Sequence, residues 1–150
     1  MSDGRAPRRY RWGVRVAFGS DERSAVTEHL VAVLRARGLE VTEVPDGTAW
    51  PEVGRMVGEA VASGEATFGV VCCTTGTGVS IAANKVPGIR AALCTDAATA
   101  QGARRWNDAN VLALSLRLTS SQLAEEIVDA FMSASFDPDE SATVARVEAG

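Results

Sequence analysis

Aromatic side chains are scarce, with four Phe, three Trp and one Tyr in 150 residues. A surface that stacks successive bases needs more of them, which argues against single-stranded nucleic-acid binding. Excess positive charge is lacking too. Fifteen Lys and Arg face 19 Asp and Glu, for a net charge of −4 and a pI near 5.0, whereas a nucleic-acid face needs clustered basic residues. There is one histidine, His29, inside a predicted helix and read as a surface residue. Cysteine is limited to Cys72, Cys73 and Cys94. An odd number cannot all pair within one chain, and the adjacent two could join only through a strained vicinal bond. No C-x-x-C with matching histidines occurs, so no metal or cofactor is expected, and the thiols read as reduced in a cytoplasmic protein. Long apolar runs are also missing. The first residues carry Arg5, Arg8, Arg9 and Arg11, but no hydrophobic stretch follows them, which excludes a signal peptide or membrane span there. Residues 1–13 are read as a disordered basic extension.

What is present is an ordinary globular balance of 46% hydrophobic and 23% charged residues. A chain of this length is about one domain and buries roughly two thirds of its unfolded surface, enough for a core without staples. From Val14 onward, short apolar runs alternate with stretches of helical period, as β-α units around a parallel sheet require. The pattern predicts strands over 14–19, 40–44, 67–73, 89–94 and 110–114, buried on both faces. Helices are predicted over 23–37, 52–63, 79–85, 96–106 and 120–132, with Gly38 as a stop and Ser120 as an N-cap. The expected fold class is α/β: a single doubly wound α/β/α sandwich with a five-stranded parallel sheet, spanning 14–132. A polar tail follows over 133–150, with a short helix around 142–148.

Ligands of such sheets bind beyond the carboxyl ends of the strands, where strand order reverses. With order 2-1-3-4-5, that point falls between the first and third strands. There Gly19-Ser20-Asp21-Glu22 faces Cys72-Cys73-Thr74-Thr75-Gly76-Thr77-Gly78. A thiol at a strand end, followed by a glycine-bearing loop that opens a helix, sees the positive end of the helix dipole. Cys73 is therefore a candidate base or nucleophile. Equally, the two cysteines fill the sheet edge, and alternation lets at most one of them face a cleft. The Gly76-Thr77-Gly78 turn could offer amides to an oxyanion or phosphate, but it is no P-loop, since no Lys follows Gly78, and no dinucleotide fingerprint, since position 81 is Ile. Asp21 reads either as a ligand contact or as a helix N-cap.

Four segments together closely resemble the ribose-5-phosphate isomerase B and galactose-6-phosphate isomerase family: Gly19-Ser20-Asp21, the block from Cys73 through Ser80-Ile81-Ala82-Ala83-Asn84-Lys85, Gly88-Ile89-Arg90-Ala91-Ala92-Leu93-Cys94, and Asn107-Asp108-Ala109-Asn110-Val111-Leu112. The resemblance runs from Val14 to Val147. It implies a Rossmann-like fold and metal-free interconversion of aldose and ketose sugar phosphates through a cis-enediol. It also implies a homodimer or homotetramer with sites between subunits, and places the 133–150 tail there. By the same match Cys73 is the base, and the amides of the loop through Gly76, Thr77 and Gly78 cradle the enediolate. Thr75 touches sugar hydroxyls, Asp21 and Asn107 orient the substrate, and Arg117 and Arg146 contact phosphate. A second branch of the family uses a Glu further along the loop, where this chain has Val79, which favours the cysteine branch.

Three departures stand against these matches. Glu22 occupies a position usually held by His, Trp106 replaces the ring-opening His, and Ala142 replaces one of two tail Arg residues. An indole has one donor and no exchangeable acid-base pair, and a phosphate dianion loses a charge-assisted contact at position 142. The expected activity is thus an aldose-ketose isomerase acting on a modified or atypical sugar or sugar phosphate. The alternative is a non-catalytic sugar-binding homologue or the partner subunit of a hetero-oligomer. Neither reading involves nucleic acid or a membrane.

Overall fold

The computed structural model describes residue 10 and residues 13–149. Apart from Tyr10 and Gly13, the extension predicted over 1–13 lies outside the described residues. Five strands alternate with five helices: β1 (Arg15–Ser20), α1 (Ala25–Ala36), β2 (Glu40–Glu43), α2 (Trp50–Ala62), β3 (Phe68–Cys73), α3 (Thr77–Asn84), β4 (Ala91–Leu93), α4 (Ala97–Asn107), β5 (Val111–Ser115) and α5 (Ser121–Ser133). A 3-10 turn (Pro138–Glu140) and α6 (Ser141–Glu148) follow.

All strand pairs are parallel, in the order β2-β1-β3-β5-β4. This corrects the 2-1-3-4-5 order at one end of the sheet. The reason is burial: every residue of β5 is buried, whereas β4 has three residues, all half-exposed, and the strand apolar on both faces takes the interior position. Burial on both faces fails at the other edge as well, where β2 is largely exposed.

Period-two alternation sorts the strand residues into two cores. Val16, Phe18, Val70, Cys72, Leu112 and Leu114 face α1, α4 and α5. Ala17, Val71, Cys73, Val111 and Ala113 face α2 and α3. Phe131, Leu30, Leu34 and Ile127 are fully buried, each contributing about 1.5–3 kcal/mol of apolar burial. The two adjacent cysteines thus point to opposite sides of the sheet.

Local chemistry sets the helix starts. Ser24 caps α1, accepting from Thr27 N–H at 3.2 Å while Thr27 Oγ1 accepts from Ser24 N–H at 2.9 Å. Asp21 is therefore not the N-cap. Ser120 does cap α5, accepting from Leu123 N–H, and α1 ends at Arg37, before Gly38. Because the Ser24 box closes two otherwise unpaired donors, Ser24→Ala is expected to cost about 1 kcal/mol. In a chain of this length that is a fall of about 2–4 °C in thermal midpoint, read by calorimetry.

His29 is more than a surface residue. Its Nε2 lies 2.9 Å from Glu125 on α5, which also accepts from Arg37 at 2.9 Å. Arg37 reaches Asp129 too, and Asp129 accepts from the Tyr10 hydroxyl. This cluster joins α1 to α5 and holds Tyr10 against the domain. No described helix is long and apolar enough to cross a membrane.

Candidate active site

The register places Ser20 beside Cys72 and Cys73 beside Ser115, so the carboxyl ends of β1, β3 and β5 lie next to one another. Beyond them opens a cleft of about 330 Å³, lined by Asp21, Trp50, Cys73, Thr74, Thr75, Thr77 and Gly78. Four of the predicted contacts, Cys73, Thr75, Thr77 and Gly78, come from the single turn between β3 and α3. Asp21 reaches the cleft from the β1 exit, because Gly19 and Ser20 finish the strand and the chain turns before α1.

The turn is tightly built. Gly76 caps α3 in the left-handed region, with φ of +75°, and donates its N–H to Cys73 Sγ at 3.2 Å. That bond fixes the thiol side chain against the loop. Thr75 and Thr77 hydroxyls share a hydrogen bond of 2.7 Å, leaving further lone pairs and a donor for a ligand. Thr77 and Gly78 open α3, so their amides have no acceptor within the helix. From the far side, the β5 exit clamps the loop: Ser115 Oγ and Arg117 N–H both donate to the Thr74 carbonyl, at 3.1 and 3.0 Å.

The three thiols differ sharply in surroundings. Cys72 is fully buried on the opposite face, and burial pushes its thiol far above the ordinary range, reinforced by Cys73 and Asp21. Burial likewise raises Cys94 to about 11, with Asp96 adding to it. Only Cys73 lines the cleft. Asp21 carries a buried carboxylate oxygen, Oδ1, with no hydrogen-bond partner. An unpaired buried acceptor costs about 1–3 kcal/mol, which a ligand hydroxyl would recover. Among the described residues, no group of three or more His, Cys, Asp or Glu is arranged to hold a metal ion.

A profile of the family described as Ribose/Galactose Isomerase matches residues 16–149. The chain belongs to this family. It is 42% identical over 128 residues to ribose-5-phosphate isomerase B of Escherichia coli strain K12, covering 82% of this chain and 86% of that one. It is 38% identical over 128 residues to D-erythrulose-4-phosphate isomerase of Pectobacterium atrosepticum, covering 81% and 84%. Among solved structures, ribose-5-phosphate isomerase B of Clostridium thermocellum superposes with a TM-score of 0.86 at 39% identity, over 91% of this chain and 96% of that chain. By family the chain is an isomerase, and the expected Rossmann-like sheet is the one its relatives share.

The remaining family positions are not gathered in this cleft. Glu22 is exposed and lines a neighbouring hollow with Arg23 and Asp46. Asn107 and Trp106 end α4, both exposed, with the Trp106 ring folded over Gly102 of its own helix. Arg117 is exposed after β5, and Arg146 is exposed on α6, a helix with no buried residue. Two cleft residues are not among the predicted contacts: Thr74, within the predicted turn, and Trp50, outside it. Trp50 opens α2 two residues earlier than predicted, with Pro51 in the first turn, and its ring packs so closely on Gly78 that a Cβ there would lie 2.8 Å from it. A signal exists: Trp-Pro follows the second strand, and every strand-to-helix connection of a parallel sheet lies on the ligand-binding edge.

Proposed function

We propose that this chain interconverts an aldose and a ketose through a cis-enediol, with Cys73 as the base, on a sugar phosphate other than ribose 5-phosphate. What carries the reading is that Cys73, alone of the three cysteines, faces the cleft, with its sulfur held by the Gly76 amide. In the anionic form, that sulfur takes the proton from the carbon beside the carbonyl. The electron pair left behind forms the C=C bond of the enediolate, and the carbonyl oxygen becomes an oxyanion. The Thr77 and Gly78 amides stabilise it; the neighbouring hydroxyl gives its proton to that oxygen, and as the new carbonyl forms there the carbon-derived proton returns to the adjacent carbon, completing the isomerisation. Thr75 and Asp21 orient the hydroxyls, and the Trp50 ring gives the carbon chain an apolar wall.

Supporting a homodimer or homotetramer, Asn107, Arg117 and Arg146 lie outside their own cleft, while Trp106, Leu118 and Val147 leave 56%, 67% and 66% of their surface exposed. A second copy brings these residues to the first copy's Cys73, with the 133–150 tail at the interface. Free thiols fit a cytoplasmic enzyme.

The substrate preference rests on Glu22, Trp106 and Ala142. A missing charge-assisted contact is worth about 1.5–3 kcal/mol, or about 10- to 160-fold in affinity, and the missing imidazole removes a ring-opening proton shuttle. In buffered D2O, a panel that includes D-erythrulose 4-phosphate and ribose 5-phosphate is expected to show deuterium incorporation beside the carbonyl. The kcat/KM for ribose 5-phosphate should be at least about 10²-fold below that of the best substrate. The triple variant Glu22→His, Trp106→His, Ala142→Arg should narrow that gap. No incorporation from any sugar would sink the isomerase mechanism. Efficient turnover of ribose 5-phosphate by the native chain, with no gain in the variant, would sink the substrate preference alone.

A further inference from the structure

We propose that Arg90 is a positioning residue that locks the turn at 106–108 and helix α6 into one unit, so that Asn107 and Arg146 are presented to substrate together. The proposal rests on the reading above that these two residues complete a site. Arg90 stands just before β4, and its side chain is only 19% exposed. Its Nε donates to the Asp108 carbonyl at 2.8 Å, its Nη2 to Asp108 Oδ2 at 3.2 Å, and its Nη1 to Glu148 Oε1 at 2.8 Å. One planar fork therefore holds both the backbone and the carboxylate of the residue after Asn107, and with its third nitrogen the last residue of α6.

The turn needs such a clamp. Asp108 has φ of +48°, a left-handed conformation that few residues other than glycine adopt. A second guanidinium meets it from the interior: Arg104 Nη1 donates to Asp108 Oδ1 at 3.2 Å and to the Ala109 carbonyl at 2.6 Å. Arg104 is 8% exposed, with its guanidinium 4.7 Å from the centre of the Phe68 ring. Desolvation works against its charge, and Asp108 opposes that effect. So Asp108 is held by the interior on one oxygen and by Arg90 on the other.

At its other end the link reaches an element that its own chain holds by little else. No residue of α6 is buried, and among the described residues Glu148–Arg90 is its one side-chain hydrogen bond. Arg146 lies two positions before Glu148, so freeing Glu148 releases the helix that carries Arg146. The preceding segment is tied to the same place, because Asp137 N–H donates to the Arg105 carbonyl at 2.9 Å. Turn and tail thus share one support, centred on Arg90.

The test uses two variants of the full chain. Glu148→Ala changes an exposed helix end and leaves folding intact, while Arg90→Lys keeps the charge and loses the fork. Hydrogen exchange read by mass spectrometry is expected to quicken about tenfold over residues 106–109 in both, with β3 and β5 unchanged. On the best substrate of the panel, KM should rise about fivefold with kcat within about twofold, and Arg146→Ala should add little to Glu148→Ala. Unchanged exchange over 106–109 in Glu148→Ala, or full additivity of Arg146→Ala and Glu148→Ala, would overturn the coupling. If Arg146→Ala and Asn107→Ala each leave KM untouched, the reading of those residues as substrate contacts fails, and the exchange data still decide whether Arg90 couples turn and tail.

Discussion

Cys73→Ala is expected to lower kcat by about 10²–10⁴-fold, the range for loss of a positioned proton-transfer group, while Cys72→Ala keeps activity within about twofold of native. The contrast follows from one residue of strand register. Cys73 lines the cleft, whereas Cys72 sits on the far face among Phe18, Val70 and Leu114, held neutral by burial. Cys72→Ala should instead cost about 1–2 kcal/mol of stability through the small cavity it leaves. Initial rates and thermal midpoints on the two variants separate these effects, and equal loss of activity in both, with folding intact, would refute the assignment of the base. The same variant tests the shared site. Mixing equal amounts of Cys73→Ala and Arg146→Ala and allowing subunits to exchange should raise kcat/KM well above that of the mixture before exchange, because half of the dimers are then mixed and each of those has one intact site, roughly a quarter of all sites. No recovery on mixing, despite demonstrated exchange, would place Arg146 with its own chain's cleft.

For Gly76→Ala a loss of about 2–5 kcal/mol is expected, combining about 1–2 kcal/mol for a left-handed alanine with about 1–3 kcal/mol of overpacking. The added Cβ would stand 2.6 Å from Leu93 Cδ1 and 2.8 and 2.9 Å from the carbonyl carbon and oxygen of Leu114. The leucine tip can move, but the β5 backbone cannot without unpairing from β3. At about 2–4 °C per kcal/mol, the thermal midpoint should fall by about 4–20 °C. Gly88→Ala is the control. Gly88 has φ of +87°, and a methyl group added there would meet nothing within 4 Å, so only the conformational cost of about 1–2 kcal/mol applies. Equal losses at the two positions would show that the Leu114 contact is relieved cheaply. Gly76→Ala should also impair turnover at temperatures where it remains folded, since its amide holds the Cys73 sulfur.

Much of this architecture is written locally in the chain. Ser120 caps its helix because a hydroxyl beside the first helical turn meets an unpaired amide whatever lies around it. The opposite facing of Cys72 and Cys73 follows from the pleat alone once β3 is recognised. The Cys73-to-Gly78 turn is legible for the same reason, since its cleft residues are neighbours in sequence. Asp21 stands between two roles on sequence alone, because an Asp just before a helix meets the requirements of both. Its Oδ1 has no partner and Ser24 takes the cap, and that distinction depends on where the chain turns.

By itself, then, the sequence determined the elements, their facing and the turn that carries Cys73, because each depends on neighbours a few residues apart. Only the tertiary structure decided that β5 lies between β3 and β4, since that choice turns on which of two distant strands can bury both faces. It also brought Trp50 onto Gly78, and joined Arg90, Asp108 and Glu148 across 58 residues of chain. Those contacts have no sequence period. They exist because the sheet order first brings the strand ends, the α4 turn and the tail to common places, where side-chain reach and charge complete the pairing.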